Sequence, residues 1–459
     1  MKSASAVSMH YPCFEEVDPS TRRCCPVFRG SSGVPLDPVE PPRLLYPDQV
    51  CCGDLLEDGR HNQTFTLEYD DVVPRQASPR PSSILVRLNN RKAVLLHSFW
   101  FLVALAGLAA VSLRALHRPG LDFAVFYDAG VRFLTGADLY GGGREYPYRY
   151  APGAAALFAP LSLVSFRAAF ATWVALSAAL VLASALWLCR RFGLATAVPL
   201  AWLCLLQPLT QELAHGQADV AVLALALASF SAEDAGAEFI AGTLVAIATA
   251  LKVAPAVLLF DWLLRARWRA LVGAVMGGLL LALMLIPTYG LSGSVHQHSL
   301  WIVSQSTDAG SMIAVLGNQS LWALARTVGA GWGGGMVASL TLLTFIHSAR
   351  DRQLRRLLVL ASIPLVSAYG WPQFFIVVVP LLAHILFAGG WRAWVAGGAA
   401  GAISVLSYDI AGAHVEYWAQ ASRVLGLLLL IVVTVGRICT SEPRLPEPSR
   451  RSPRALGLR

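Results

Sequence analysis

Apolar runs separated by short polar clusters fill this chain from Ala93 onward. The first, Val94 to Leu116, is long enough to cross a bilayer, which takes about 20 mostly apolar residues as a helix. Further runs predict spans near 168–189, 194–208, 217–231, 238–264, 268–289, 319–346, 356–370, 373–390, 393–409 and 419–437. The 238–264 run holds Lys252 and Pro255. A proline removes a helical hydrogen bond, and a lysine in lipid needs a partner or water. That run is therefore read as a short hairpin that enters and returns, broken near these two residues. Segment 153–165 is too short to cross and is expected to lie along the outer surface or to dip in. Residues 122–135 read as an amphipathic helix with Phe123, Phe126, Ala129, Val131 and Phe133 as its apolar contacts. The predicted fold is an all-α integral membrane protein, a polytopic bundle of about 10–12 helical spans.

Composition sharpens this. The chain has 459 residues, is 56% hydrophobic and only 14% charged, where a soluble domain carries about 25%. Residues 1–92 differ, with 12 of the 28 acids and 11 of the 26 prolines. They read as a disordered cytoplasmic extension, which an assigned start upstream of the true one would also account for. Residues 93–440 form the membrane domain, and 441–459 a basic cytoplasmic tail. Five of the eight cysteines, Cys13, Cys24, Cys25, Cys51 and Cys52, lie in the extension; they are expected to be free thiols, and no CxxC pair suggests zinc.

The net charge of +8 is read as topology rather than nucleic-acid binding, because the arginines sit in short loops between spans. Arg87, Arg91 and Lys92 place the N-terminus in the cytoplasm. Arg190–Arg191, Arg265 to Arg269, Arg350 to Arg356 and Arg437 join it there. The opposite, outward face then collects 118–152, 209–217, 290–318 and 409–418, with a minor tip at 371–373. In a bacterium this is the periplasm or exterior of the plasma membrane; in a eukaryote it is a lumen.

Rare polar groups gather on that outward face. Asp122 follows the first span and is a candidate general base or ligand, although an acid at a helix start is ordinarily a cap. Asp128 is a weaker candidate, since an acid on a solvated helix face needs no function. Tyr127, Tyr140, Tyr146, Tyr148 and Tyr150 are either an interfacial aromatic belt or the walls of a sugar site. Lys252, the one lysine after Lys92, either snorkels to the interface or meets an anion such as a phosphate. His215, Gln217 and Asp219 open one predicted span, and Gly317, Asn318, Gln319 and Ser320 open another. Capping is the ordinary role for both clusters; anion binding at a helix N-terminus is the alternative. His296 and His298 lack a third ligand, so no metal site is expected.

The stretches "DFAVFYDAG", "LTGADLY" and "YRYAPGAAALFAPL", followed by "HGQADVAVLALAL", "LKVAPAVLL" and "GNQSLWAL", resemble glycosyltransferase family 87, within the GT-C superfamily. The resemblance covers Leu121 to Ala325; beyond it the chain is similar only in its apolar spans, and the extension 1–92 is not part of the family pattern. It implies a GT-C-like bundle that takes a sugar, mannose in characterised members, from a polyprenyl-phosphate carrier. The sugar passes with inversion to a hydroxyl of a lipid or glycan acceptor on the outer face. It implies Asp122 as base and Lys252, in a "K-x-x-P" pattern, as binder of the donor phosphate. His215, Gln217, Asn318 and Gln319 would hold sugar or phosphate, and Tyr140 and Tyr150 would wall the sugar, with Tyr127 and Asp128 beside them. No cofactor or metal is implied, and the partners are the lipid-linked donor, the acceptor and membrane lipids. A transporter or flippase of a lipid-linked or polar solute is the competing class; it would show internal repeats with matching broken helices.

Overall fold

In a computed structural model, residues 83–140, 147–313, 318–405 and 416–439 are described. The calls on residues 1–82, Tyr146, Gly317, the 409–415 part of the last loop and the tail lie outside these. Every regular element among the described residues is helical, as expected.

Helix α1 spans Ser83–Ala115, so it begins before the expected domain boundary. Its apolar part, Val94–Ala115, is long enough to cross a bilayer, and Leu95, Phe99 and Leu102 point outward, as a lipid-facing helix requires. Helix α2 is Leu121–Thr135, the predicted amphipathic helix. Helix α3, Pro152–Phe158, is buried along most of its length. Helix α4, Phe166–Phe192, is the second uninterrupted span; Arg190 and Arg191 lie in its last turn and the left-handed Gly193 ends it.

The other predicted spans are shorter or broken. Helices α5 (Ala197–Cys204), α6 (Leu206–His215) and α7 (Asp219–Asp234) replace two of them. α6 and α7 form one apolar path bent by 112°. The 238–264 run breaks where predicted: α8 ends at Leu251, Lys252 is extended (φ −159°, ψ 128°), a 3-10 turn covers Ala254–Ala256, and α9 resumes at Val257–Leu264. α10, Trp268–Leu283, packs backbone to backbone on α8. A Cβ on Gly242 would sit 1.9 Å from the Ala270 carbonyl oxygen, and one on Gly273 would sit 2.1 Å from that of Phe239. Small residues permit such approach between helices in lipid.

Residues 290–318 were expected to be an outer loop. Instead α11 runs Ile286–Ile313, kinked at Gly290 (φ 67°, ψ 178°) and bent by 108° from α10. The remaining helices are α12 (Leu321–Thr327), α13 (Gly331–His347), α14 (Arg352–Val366), α15 (Val379–Ala388), α16 (Gly390–Val405) and α17 (Glu416–Cys439). Among the described residues, two helices are long and apolar enough to cross a membrane, or four if each bent pair counts as one span. Several of the runs expected as the 10–12 spans are thus kinked or short: hydropathy reads a kinked or interrupted segment and a straight span alike.

One end of the bundle is closed by ion pairs. Arg356 holds Glu233 and, at 2.7 Å, Asp234. Arg265 and Arg352 reach Glu233, Arg265 also holds Asp261, and Arg191 holds Asp234 at 3.0 Å. Four basic residues from three separate predicted inner clusters thus meet at one end, on acids that the hydropathy pattern did not single out.

Candidate active site

The site forms where α2, the α6–α7 bend and the break after α8 meet. The phenylalanine spacing of α2 turns Phe123 and Phe126 inward. Phe126 stacks on Phe158 of α3, with ring centroids 4.4 Å apart, and Phe123 packs against Phe166, Phe170 and Trp173 of α4. These contacts set the roll of the helix. Asp122 lies in its first turn, but the cap position belongs to Gly120, with no side-chain cap bond. The ordinary capping role for Asp122 is therefore not taken. Its Oδ2 stands 3.5 Å from His215 Nδ1, and both side chains are partly open to solvent.

His215 ends α6, and Gly216 turns the chain in the left-handed region (φ 69°). A Cβ there would come 2.5 Å from the Phe123 Cβ, so the bend needs glycine both for conformation and for space. Gln217 follows, buried; its backbone oxygen accepts from Trp173 Nε1 at 3.1 Å, while its side-chain Oε1 meets no donor. The phenol of Tyr150 is pushed well above its ordinary range by burial and then by the charges of Asp122 and Asp219. Tyr150 therefore stays a neutral phenol beside two acids.

Asp219, in the first turn of α7, is fully buried, and Lys252 Nζ donates to both its carboxylate oxygens, at 2.6 and 2.7 Å. The same ammonium lies 3.5 Å from the centre of the Phe374 ring. Lys252 thus neither snorkels nor stands free: a carboxylate and an aromatic face hold it, the arrangement that lets a cation persist in a dry interior. Glu212 of α6, fully buried, joins this centre; its Oε1 accepts from Val220 N at 3.0 Å.

The other candidates have protein partners of their own. Tyr140 donates to the Tyr150 carbonyl and packs on Tyr148, which packs on Tyr150, so the three rings form one cluster. Tyr127 donates to the Val164 carbonyl at 2.8 Å. Asp128 pairs with Arg132 one turn on, at 2.8 Å. Asn318 braces the 368–370 loop: its Nδ2 donates to Ala368 O at 2.7 Å and its Oδ1 accepts from Gly370 N at 2.9 Å. Gln319 N donates to Gly370 O at 2.6 Å, and the buried Gln319 Oε1 meets no donor. That loop leads into the 3-10 helix Pro372–Val378, which carries Phe374. Asn318 and Gln319 thus hold the loop that leads to Phe374, the aromatic partner of Lys252. Glu212 and Phe374 were missed. An acid inside a run called a loop, and a phenylalanine inside a run called a span, carry no local sign that they converge on Lys252.

An apolar groove lies between α1, α4, α5 and α6, lined by Phe101, Leu105, Trp202, Leu203, Leu206 and Leu209. α6 links it to the polar centre: Leu206 and Leu209 line the groove, and His215 ends the same helix.

Fold and site together define a helical membrane protein with a half-buried acid–imidazole pair beside a buried lysine–carboxylate centre. Residues 148–368 match the model of glycosyltransferase family 87, and the protein is a glycosyltransferase. No curated protein and no solved structure matches the chain. The family match decides against the transporter class. Asp122 lies outside the matched segment, so its place beside His215 is an observation of the structure alone.

Proposed function

We propose that the protein moves a hexose, mannose in the first instance, from a polyprenyl-phosphate carrier to a hydroxyl of a lipid or glycan acceptor. The reaction is a single inverting displacement on the outward face of the membrane. The observation that supports it is the pairing of Asp122 with His215 at 3.5 Å beside the Lys252–Asp219 centre. Such a transfer needs a base for the acceptor proton and a cation for the leaving phosphate. Asp122 is open enough to meet an acceptor hydroxyl, and His215 orients it; general-base assistance contributes roughly 10²–10⁴ in rate. Lys252 supplies a point charge for phosphate. Gln217 and Gln319 each keep a side-chain oxygen without a donor, an acceptor that a sugar hydroxyl can satisfy. Tyr140 and Tyr150 wall the sugar. The groove beside α6 takes the prenyl chain, its end nearest the site about 9 Å along the helix from His215 at 1.5 Å per residue.

The test is transfer of radiolabelled mannose from polyprenyl-phosphate-mannose to membrane lipids, comparing wild type with Asp122→Asn at equal abundance. Labelled lipid in wild type and a fall of at least about 100-fold in the variant is expected. Equal label in both would remove Asp122 as the base. No label with intact wild type would remove this donor.

A further inference from the structure

Helix α11 has no task in that reading, yet it holds the tyrosine cluster from both ends. It turns 108° from α10 instead of continuing the span. One row of its side chains, Gln297, Trp301 and Gln305, each a turn apart, then meets the chain on either side of the cluster. Gln297 is fully buried and uses both ends of its amide. Its Oε1 accepts from Leu139 N at 3.0 Å, and its Nε2 donates to Asp138 Oδ1 at 2.8 Å. Trp301 Nε1 and Gln305 Nε2 both donate to the Arg149 carbonyl, at 3.2 and 2.7 Å. Tyr289, just before the Gly290 kink, donates to the Ala137 carbonyl at 2.9 Å. α11 thus fastens the residue before Tyr140 and the residue before Tyr150. The tyrosines close the frame: Tyr140 donates to the Tyr150 carbonyl, and Tyr150 packs on Phe126 of α2, with ring centroids 4.5 Å apart. α2 also carries Asp122. An apolar side chain at 297 would fill the same space without demanding a register. A buried amide with both ends bonded accepts only one placement of its partners.

We infer that Gln297 is a positioning residue for donor binding: it fixes the register of Asp138–Leu139, and with it the Tyr140 ring against Tyr150. The inference rests on the reading of Tyr140 and Tyr150 as the walls of the sugar site. A wall contacts the bound donor and the transition state alike. Loosening it therefore raises KM and leaves kcat in place. Gln297→Glu is the sharp perturbation. The new carboxylate still accepts the Leu139 N–H but faces the Asp138 carboxylate, and like charges this close oppose each other. Adding Asp138→Asn gives that carboxylate an amide N–H and restores both hydrogen bonds, with donor and acceptor exchanged.

Donor kinetics decide it, measured on the full chain in lipid nanodiscs with radiolabelled polyprenyl-phosphate-mannose at varied concentration. Hydrogen exchange at the Leu139 amide is followed on the same samples. Gln297→Glu is expected to raise the donor KM about tenfold, as for a lost hydrogen bond to a charged group, with kcat per folded molecule unchanged and faster exchange at Leu139. The double variant should return both KM and exchange toward wild type. Should Gln297→Glu not fold, Gln297→Asn, too short to reach both partners, must raise KM in its place. An unchanged KM overturns the inference, whether or not Leu139 exchanges faster, and leaves the transfer reading standing. A fall in kcat alone, or a raised KM that the double variant does not correct, overturns it too. No transfer by wild type removes this donor and the inference together.

Discussion

Asp219 and Lys252 show how much one residue depends on another here. The lysine is nearly buried and the aspartate fully so. Removing either partner leaves an uncompensated charge in a dry site, which costs about 3–5 kcal/mol. Lys252→Met and Asp219→Asn are each expected to lower the thermal stability of the purified protein strongly. The double variant should recover much of the loss, so a double-mutant cycle should return a coupling of more than about 1 kcal/mol. Additive losses would mean that the pair does not interact in the folded protein. Lys252 was legible in the sequence because a lone lysine among apolar residues demands an explanation. Its carboxylate and its aromatic lid were not, because they come from positions 33 residues earlier and in a distant strap.

At the scale of elements, the bends matter more than the spans. The site lies at the α6–α7 turn and at the break between α8 and α9, where the chain leaves helical geometry and side chains can face inward. Gly216 makes the first of these possible. Gly216→Ala is expected to destabilise the protein by more than about 1 kcal/mol, because alanine is strained at positive φ and its Cβ would strike Phe123. Since Phe123 follows Asp122 directly, this variant should also lose transfer activity beyond its loss of folded protein. Normal turnover per folded molecule, measured alongside the melting temperature, would show that the bend does not position Asp122. The break at Lys252–Pro255 was readable in advance, since proline and a buried charge both mark it. The bend at Gly216 was hidden inside what looked like an ordinary loop followed by an ordinary span.

For the whole molecule, the polar centre involves α2, α6, α7 and the α8–α9 break, while the arginine–acid cluster closes the far ends of α7 and α9 with the start of α14. Since α7 runs from Asp219 at the centre to Glu233 and Asp234 in that cluster, the two lie at opposite ends of one helix. By the positive-inside rule the expected placement is the cluster on the cytoplasmic side and the centre on the outer side. In a cysteine-free background, Ala137→Cys should react with a membrane-impermeant thiol reagent added to intact cells. Ser348→Cys should react only after the membrane is opened. The reverse pattern would invert the assignment and turn the site toward the cytoplasm.

The sequence by itself determined the helical membrane class, the amphipathic α2, the hairpin break at Lys252 and the grouping of the arginines. Each follows from periodicity, composition or one out-of-place residue, signals local to a stretch of chain. Tertiary structure alone decided that Asp122 faces His215, that Asp219 and Phe374 hold Lys252, and that Glu212 joins them. It also decided that Asn318 and Gln319 support a strap, and that many apolar runs are bent or short. These depend on which faces meet when interrupted helices pack, and hydropathy along one segment carries no record of its neighbours.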